Sequence, residues 1–452
     1  MKSNFPQQFA QQYLAQGYWK QLTLTECLTQ WANSNGDKTA IIDAQSSLTY
    51  SQLEHESNKL AWGFINAGIK PDDKIILQLA NSTDFIVTLF ALMKSGAIPI
   101  LALPLHRYNE INEIIKVAGA VGYISQPYHG GFDYGELAVN LQQDNSALDK
   151  VFFTGPETPF LSYQNLDCSE AELPELSYDN VALFLLSGGT TSVPKLIPRS
   201  HSDYLYNLET MAAKCEMNIA SVFLAAIPVA HNFALACPGA LGILASGGQV
   251  VLQQHPDPLE ILENIEQYKV THLALVPVLA DLVSSAASEI EDFDLSSLRL
   301  VQVGGARFTQ DSASNLIQSL GCNLQQIFGM AEGLLCCTSL DDSEEVKTAT
   351  QGKPISPADE ILILNPEGNP VERGETGELY TRGPYTLRGY FNAEHHNKVV
   401  FTDDGFYRTG DLVKVTSDGD LIVMGRVKEL INRAGEKFSP VDVESVLAQH
   451  EK

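Results

Sequence analysis

The pattern of apolar and polar positions in the first third of the chain alternates between helical and strand-like spacing. Residues 53–64 carry apolar side chains at helical spacing and follow the sequence Ser51-Gln-Leu-Glu54. This arrangement predicts a helix that begins with a capping box at Ser51. The runs KIILQLA (74–80) and AIPILAL (97–103) are typical of buried strands. Strand, helix and strand at this spacing predict a parallel sheet covered by helices.

The same alternation returns in the middle of the chain, where apolar runs and helical segments follow one another. They are predicted at residues 250–252, 258–267, 270–276, 279–287, 298–303 and 324–328. We therefore expect two wound α/β units, one centred on residues 45–150 and one on residues 180–335.

Beyond Gly352 the helical spacing gives way to short strands between Gly-rich turns, predicted at residues 360–364, 377–382, 412–415 and 421–423. The predicted fold class is therefore α/β, with two wound subdomains and a small β-rich one. Together they form a body over residues 1–424, divided into about 1–180, 181–350 and 351–424. Residues 425–452 are predicted to begin a separate unit.

The charge balance excludes several classes of partner. Asp and Glu number 55 against 29 Lys and Arg, a net charge of −26, so nucleic acids and anionic membranes would repel the chain. The apolar runs are far shorter than the ~20 residues that a membrane-spanning helix needs. The N-terminus lacks the apolar segment of a secretory signal, and the seven scattered cysteines include no CxxC pair. We expect a cytoplasmic protein that binds neither nucleic acid nor membrane.

A loop rich in Gly, Ser and Thr (SGGTTSVPK, residues 187–195) follows the apolar run at 181–186. Gly188 and Gly189 would let backbone N–H groups approach an anion, and the hydroxyls of the next three residues could donate to phosphate oxygens. Lys195 adds a positive charge. These are the parts of a polyphosphate site, although the loop does not have the Walker A spacing. On composition alone, a polar surface loop is an equally good interpretation.

Two carboxylates stand in positions suited to a nucleotide. Glu332, in FGMAEG, follows the end of a predicted strand, where Mg²⁺ could join it to phosphates. Asp411, in YRTGD, is predicted on a turn, where it could accept hydrogen bonds from a ribose diol. Arg426 offers a further polar group near the predicted boundary. Each signal alone is weak, because such carboxylates are more often solvated or part of turn chemistry.

Taken in order, these segments resemble the adenylate-forming superfamily of acyl-CoA synthetases, luciferases and peptide-synthetase adenylation domains. The resemblance covers essentially the whole chain and lies in eight motifs: SGGTTSVPK (187–195), AAIPVAHN (225–232), VQVGGARF (301–308), QIFGMAEG (326–333), QGKP (351–354), GELYTRGP (377–384), YRTGD (407–411) and GRVKELINRAGEK (425–437). Within the superfamily the chain is similar to the stand-alone aryl-acid ligases of siderophore assembly, above all the 2,3-dihydroxybenzoate–AMP type.

The resemblance implies an ATP- and Mg²⁺-dependent reaction in two steps. The acid's carboxylate attacks the α-phosphate of ATP, giving aryl-AMP and pyrophosphate, and the phosphopantetheine thiol of an aryl carrier protein then displaces AMP. Such chemistry depends on positioning and charge neutralisation. Catalytic roles would fall to three residues: Lys195, Glu332 (also the metal ligand) and His231 at the pocket mouth. ATP-binding roles would fall to Ser187, Gly188, Gly189, Thr190, Thr191, Gly304, Gly305, Phe328, Asp411 and Arg426.

The resemblance also implies an aryl-acid pocket, formed by Asn232, Phe233, Cys237, Gly305 and Leu335. Asn232 is expected to recognise the 2-hydroxyl group, the alternative being an amide that stabilises a turn. Cys237 and Leu335 stand where the dihydroxybenzoate type usually has Ser and Val, and this difference favours salicylate. The overall likeness favours 2,3-dihydroxybenzoate, which is the first expectation, with salicylate second.

Two departures from the family pattern affect the expected activity. Ser192 replaces the usual Gly of the phosphate loop, which predicts altered loop dynamics. The family's C-terminal lid turns about a hinge, here Lys428, and only residues 425–452 of it are expected to be present, so adenylation by this chain should be slow. Two alternatives stay open: an acyl-CoA ligase of another aromatic acid, and a non-catalytic module that binds nucleotide or aryl acid.

Overall fold

The structure, a computed structural model, describes residues 1–155, 160–188, 194–290, 292–429, 431–433 and 436–438. In chain order its helices are α1 (Gln7–Ala15), α2 (Leu24–Asn35), α3 (Tyr50–Asn66), α4 (Thr83–Lys94), α5 (Tyr108–Ala118), α6 (Tyr134–Asp144), α7 (His201–Lys214), α8 (Asn232–Ala236), α9 (Gly239–Ala245), α10 (Pro258–Tyr268), α11 (Pro277–Glu289), α12 (Gln310–Leu320), α13 (Glu344–Ala349) and α14 (Glu394–Val400).

The strands, also in chain order, are β1 (Thr39–Ile42), β2 (Ser47–Thr49), β3 (Lys74–Gln78), β4 (Ile98–Leu101), β5 (Gly122–Ser125), β6 (Tyr128–His129), β7 (Phe132–Asp133), β8 (Lys150–Phe153), β9 (Leu161–Ser162), β10 (Val181–Leu186), β11 (Leu196–Ser200), β12 (Val222–Ala225), β13 (Gln249–Leu252), β14 (His272–Leu275), β15 (Leu300–Gly304), β16 (Asn323–Gly329), β17 (Leu335–Cys337), β18 (Lys353–Pro354), β19 (Glu360–Leu364), β20 (Gly377–Arg382), β21 (Tyr407–Val415), β22 (Leu421–Arg426), β23 (Ile431–Arg433) and β24 (Glu436–Phe438).

Three sheets organise the body, as the α/β prediction requires. One has the order β18-β17-β16-β15-β14-β12-β13-β1-β2, and its pairs from β16 to β1 are parallel. The second, β11-β10-β4-β3-β5-β8-β9, is parallel except at the β10–β11 edge. The third, β19-β20-β21-β22, is antiparallel. The predicted fold class is confirmed.

The sheets differ in two places from the contiguous units expected from the sequence. Strands β1 and β2 lie before the first unit's strands in the chain, yet β1 pairs with β13 of the nine-stranded sheet. Strands β10 and β11 lie beyond residue 180, yet β10 pairs with β4 of the seven-stranded sheet. The chain therefore crosses between the two sheets, so local spacing alone could not place its boundaries.

The helix predicted after Ser51 begins two residues earlier than the sequence suggests. Thr49 is its N-cap: its hydroxyl accepts the Gln52 N–H at 3.2 Å, and the Gln52 side chain accepts the Thr49 N–H at 2.8 Å. The chain offers the same Ser/Thr-x-x-Glu/Gln pattern twice, and the first copy forms the capping box. The capping box predicted at Ser51 is therefore wrong, although the apolar face of α3 is buried as expected.

Two large apolar clusters fill the space around the α/β sheets, and a smaller one underlies the four-stranded sheet. The larger of the first two joins residues of α3, α4 and α7 to β12–β16, so the wound sheets share one core. No helix within the described ranges is long and apolar enough to cross a bilayer.

Candidate functional site

Several of the predicted site residues lie at the carboxyl ends of the parallel strands of the nine-stranded sheet. Asn232 follows β12, Gly304 ends β15, and Glu332 lies just beyond the end of β16. Open α/β sheets bind ligands at this edge, because loops leaving neighbouring strands meet there. The fold thus brings together residues that lie a hundred positions apart in the chain.

Two glycines at this edge stand where a side chain would be strained. A Cβ atom on Gly304 would lie 2.8 Å from the Ile327 carbonyl oxygen and 3.4 Å from Cζ of Phe233. Gly305 has φ +90°, a conformation that L side chains rarely adopt, and a Cβ there would lie 3.8 Å from Cγ1 of Val276. The structure therefore places Gly304 and Phe233 side by side, with bare backbone at the strand end.

Lys195 and Glu332 converge on the ring of Tyr390. The Tyr390 hydroxyl donates to Oε1 of Glu332 at 2.7 Å and lies 2.8 Å from the Tyr407 hydroxyl. Lys195 Nζ lies 5.9 Å from the centre of the Tyr390 ring. Burial, followed by the charge of Glu332, raises the pKa of Tyr390 far above its ordinary value, so the hydroxyl stays a neutral donor. Glu332 is thereby held as an oriented carboxylate.

A second lysine faces the same space. Burial lowers the pKa of Lys195, and the nearby positive charge of Lys428 lowers it further, while Glu332 opposes both effects. Burial, followed by the charges of Lys195 and Lys428, also lowers the pKa of His396. Cations this close repel one another, and an anion between them would relieve the repulsion. Lys428, predicted as a hinge, is therefore close enough for its charge to act on the predicted phosphate-binding lysine.

Asp411 lies inside strand β21, and its predicted location on a turn is wrong. Its partner across the sheet is Arg426, whose Nε lies 2.9 Å from Oδ1 of the carboxylate. Gly410 has φ +76°, and the register shifts just beyond, between Leu412 and Val413. The Thr-Gly pair therefore marks an irregularity within a strand, which local sequence does not distinguish from a turn.

We expect nucleoside binding to weaken as the pH falls through 6. Burial, the largest effect, raises the pKa of Asp411 to about 6, although Arg426 opposes the shift. A protonated carboxyl accepts fewer hydrogen bonds from a ribose diol. Between pH 7.5 and pH 5 the dissociation constant of adenosine should rise about tenfold, as one protonation with this pKa requires. Isothermal titration calorimetry with adenosine, which has no phosphate to titrate, measures it.

Asp411→Asn is the matched variant for this titration. It should bind adenosine weakly at both pH values, with no dependence between them. An unchanged pH dependence in Asp411→Asn would assign the titration to another group.

Two of the predicted aryl-acid residues, Asn232 and Cys237, form a buried polar cluster with Tyr204, and Asn232 is 6% exposed. The Tyr204 hydroxyl donates to Oδ1 of Asn232 at 2.8 Å, and Nδ2 of Asn232 donates to Sγ of Cys237 at 3.3 Å. Burial raises the pKa of Cys237 to about 12, so the sulfur is a neutral thiol. Asn232 is therefore oriented by its neighbours, as a recognition group needs to be.

Three other predicted residues, His231, Leu335 and Phe328, each lie in a different environment. His231 caps α8, its Nδ1 accepting the Phe233 N–H at 3.2 Å, and its side chain is exposed. Leu335 is buried on β17, where its side chain lies against Gly329. Phe328 packs against the small cluster under the four-stranded sheet.

The phosphate loop is described only at its two ends. The Ser187 N–H donates to the Lys195 carbonyl, and the Lys195 N–H donates to the Ser187 hydroxyl, both at 3.0 Å. These bonds close the neck of the loop. Gly188 next to it is exposed and has open space where a Cβ would stand. Gly189, Thr190, Thr191 and Ser192 lie outside the described residues, and their roles stay predictions.

Sequence reasoning gave no role to Arg199, Tyr204, Tyr390 or Tyr407. Tyr407 belongs to one of the eight motifs, and the other three lie within ten residues of the end of a motif, which was the available signal. Their hydroxyl and guanidinium contacts join residues far apart in the chain, so spacing could not reveal them.

The side chains around Glu332 fit a metal ion that is bound partly by the protein and partly by a bound ligand. In the part of the chain that the structure describes, no three His, Cys, Asp or Glu side chains form a group that could hold a metal ion. Mg²⁺ is commonly bound by one or two carboxylates together with substrate phosphates. A single oriented carboxylate beside two lysines is compatible with that mode.

Comparisons with known proteins agree with this geometry. The AMP-binding enzyme family matches residues 28–391. A 2,3-dihydroxybenzoate-AMP ligase of Bacillus subtilis is 44% identical over 446 residues, which cover 99% of this chain and 83% of the relative. A salicyl-AMP ligase / salicyl-S-ArCP synthetase of Mycobacterium tuberculosis is 43% identical over 99% of this chain and 80% of its own length.

A solved structure gives the same result for the fold. The apo structure of MbtA from Mycobacterium smegmatis superposes with a TM-score of 0.89 at 42% identity, and covers 99% of this chain and 84% of that protein. The superfamily predicted from the eight motifs is confirmed. The chain belongs to the AMP-binding enzyme family.

Proposed function

We propose that the protein activates a 2-hydroxybenzoic acid with ATP and passes the acyl group to the phosphopantetheine thiol of an aryl carrier protein in siderophore assembly. The observation that carries the proposal is the buried, hydrogen-bonded Asn232 amide beside the bare backbone of Gly304. An amide in an otherwise apolar pocket recognises one polar substituent on an aromatic ring.

The first step requires charge control more than acid–base chemistry. The acid's carboxylate oxygen attacks the α-phosphorus of ATP, the bond to the bridging oxygen breaks, and pyrophosphate leaves with the electron pair. Lys195 and Lys428 supply positive charge near the phosphates, and Asp411 with Arg426 holds the ribose. Mg²⁺, with Glu332 as its protein ligand, would neutralise further phosphate charge.

His231 is suited to hold the acid's carboxylate. Its Nδ1 accepts a backbone N–H, so in the neutral ring the proton lies on Nε2, and this nitrogen can donate. The side chain is exposed, and His231 directly precedes Asn232 in the chain. A neutral donor there would orient the attacking oxygen without removing its charge.

The predicted pocket residues Cys237 and Leu335 favour salicylate over 2,3-dihydroxybenzoate, although overall likeness favours the latter. Next to Asn232 stands the neutral thiol of Cys237, 2% exposed, and Leu335 is equally buried. A thiol is a weak partner for a 3-hydroxyl group, and Leu offers none. Burying that hydroxyl without a good hydrogen bond disfavours the dihydroxy acid.

Cys237→Ser should shift the preference towards 2,3-dihydroxybenzoate. A serine hydroxyl both donates to and accepts from the 3-hydroxyl, so the ratio of dissociation constants should change about tenfold in its favour. Salicylate affinity should change little. Both acids fluoresce, so a fluorescence titration measures them directly.

Cys168→Ser is the control, because Cys168 is only partly buried and lies against Gly63, away from the pocket. It should leave both affinities unchanged. A Cys237→Ser protein with the wild-type ratio would remove Cys237 as the determinant. If the wild-type protein binds neither acid, the proposed function fails.

A further inference from the structure

Arg199 is a buried cation whose charge is only partly matched by hydrogen bonds. It is 1% exposed; its Nε donates to Oδ1 of Asp203 at 2.8 Å and its Nη1 to the Ala331 carbonyl at 3.2 Å. Within the described residues its Nη2 has no hydrogen-bond partner. Asp203 also accepts the N–H and hydroxyl of Ser200, so its negative charge is shared among several donors.

The guanidinium lies over an aromatic ring that leads to the pocket. Its central carbon is 4.7 Å from the centre of the Tyr204 ring, and a cation in this position is attracted by the ring electrons. The cation draws electron density from the ring, and this makes the phenol hydroxyl a better hydrogen-bond donor and a poorer acceptor. The Tyr204 hydroxyl accordingly donates to Oδ1 of Asn232.

This donation settles which way the Asn232 amide faces. With Oδ1 occupied by Tyr204, Nδ2 lies on the other side and donates to the Cys237 thiol. An amide nitrogen carries two hydrogens, so one remains beyond the bond to sulfur. The flipped amide would set its N–H groups against the Tyr204 hydroxyl, which the nearby cation makes a poor acceptor.

The geometry points to Arg199 and Tyr204 as positioning residues that present the Asn232 amide to the acid as a hydrogen-bond donor, so that the site selects an acceptor at the ring's 2-position. The inference rests on the proposed function, in which Asn232 faces that position. Salicylate meets the requirement, because its hydroxyl hydrogen turns to its own carboxylate and leaves an oxygen lone pair outward. Anthranilate does not, because its amine presents N–H groups and a lone pair delocalised into the ring.

A series of benzoates tests this in the unaltered protein. Affinity should follow the order 2-hydroxy, 2-fluoro, unsubstituted and 2-amino, with salicylate at least tenfold tighter than anthranilate. Competition against a fluorescent acid gives the affinities of the non-fluorescent acids. Anthranilate binding as tightly as salicylate would overturn the inference without any variant.

Tyr204→Phe tests the role of the hydroxyl while keeping the ring under Arg199. Freed from Tyr204, the amide can turn, so the salicylate-to-anthranilate affinity ratio should fall about tenfold while benzoate affinity stays the same. Asn232→Asp, which presents only acceptors when ionised, should lower the ratio further. Tyr206→Phe is the matched control. Tyr206 lies on the same helix, α7, but its hydroxyl bonds the hydroxyl of Ser356, so this variant should leave the ratio unchanged.

The outcomes separate the two proposals. If the wild-type protein binds neither salicylate nor 2,3-dihydroxybenzoate, the proposed function fails. Suppose instead that the wild-type protein binds them, and that Asn232→Asp changes the salicylate-to-anthranilate ratio. If Tyr204→Phe, shown by circular dichroism to be folded, leaves that ratio unchanged, the proposed function stands and the positioning role is overturned.

Discussion

Replacing Glu332 by Gln should slow formation of the aryl adenylate by about 10²–10³-fold, a loss typical of removing one essential electrostatic contact. Gln keeps the size of the side chain and can still accept the Tyr390 hydroxyl through its amide oxygen. What it removes is the negative charge beside Lys195 and Lys428 that we propose binds Mg²⁺. The Mg²⁺ concentration for half-maximal rate should therefore rise as well. Single-turnover formation of aryl-AMP, followed by mass spectrometry over a Mg²⁺ series, measures both effects.

Glu345→Gln provides the control for this variant. Glu345 is an exposed acidic residue in the first turn of α13, so the same chemical change there should leave the rate and the Mg²⁺ dependence unaltered. A Glu332→Gln protein that keeps the wild-type rate would show that this carboxylate does not carry the metal.

Replacing Arg199 by Met should lower the free energy of unfolding by about 3–5 kcal/mol, the cost of leaving one partner of a buried ion pair alone. Arg199 and Asp203 are only 1% and 3% exposed, and their Nε–Oδ1 distance is 2.8 Å. Without the guanidinium, the Asp203 carboxylate stays buried with Ser200 as its described donor. Urea unfolding followed by tryptophan fluorescence measures the loss.

Two further proteins show whether the lost charge pairing is the cause. Adding Asp203→Asn to the Arg199→Met protein removes the stranded charge while keeping an acceptor for Ser200, and should recover more than half of the loss. Lys20→Met breaks the exposed pair with Glu209, whose side chains are 51% and 34% exposed, and should cost no more than about 1 kcal/mol. Equal losses in Arg199→Met and Lys20→Met would contradict the account.

The sequence predicted elements well where local signals act alone. Strands β19 and β20 have the bounds that alternation predicts, and β4 lies within the apolar run predicted at residues 97–103. The start of α3 was misplaced because two overlapping capping patterns fit the same sequence. Local rules cannot rank such copies when tertiary packing decides between them.

The site was predictable through its motifs but not through its contacts. Spacing and resemblance singled out Glu332, Asp411 and Asn232, and the fold brings the first two near Lys195 and Arg426. The hydroxyl of Tyr390 orients Glu332 and that of Tyr204 orients Asn232, and these bonds join residues 58 and 28 positions apart in the chain. Such pairings depend on topology, which no local pattern encodes.

The central claim is that the protein joins a 2-hydroxybenzoic acid to AMP. Stoichiometric protein incubated with ATP, Mg²⁺ and salicylate, quenched and analysed by mass spectrometry, tests it most directly, because one turnover per molecule suffices for detection. We predict salicyl-AMP together with an equal amount of pyrophosphate, and far less adenylate from anthranilate or from the Glu332→Gln protein. A folded protein that binds ATP yet forms no adenylate from salicylate or 2,3-dihydroxybenzoate would contradict the account.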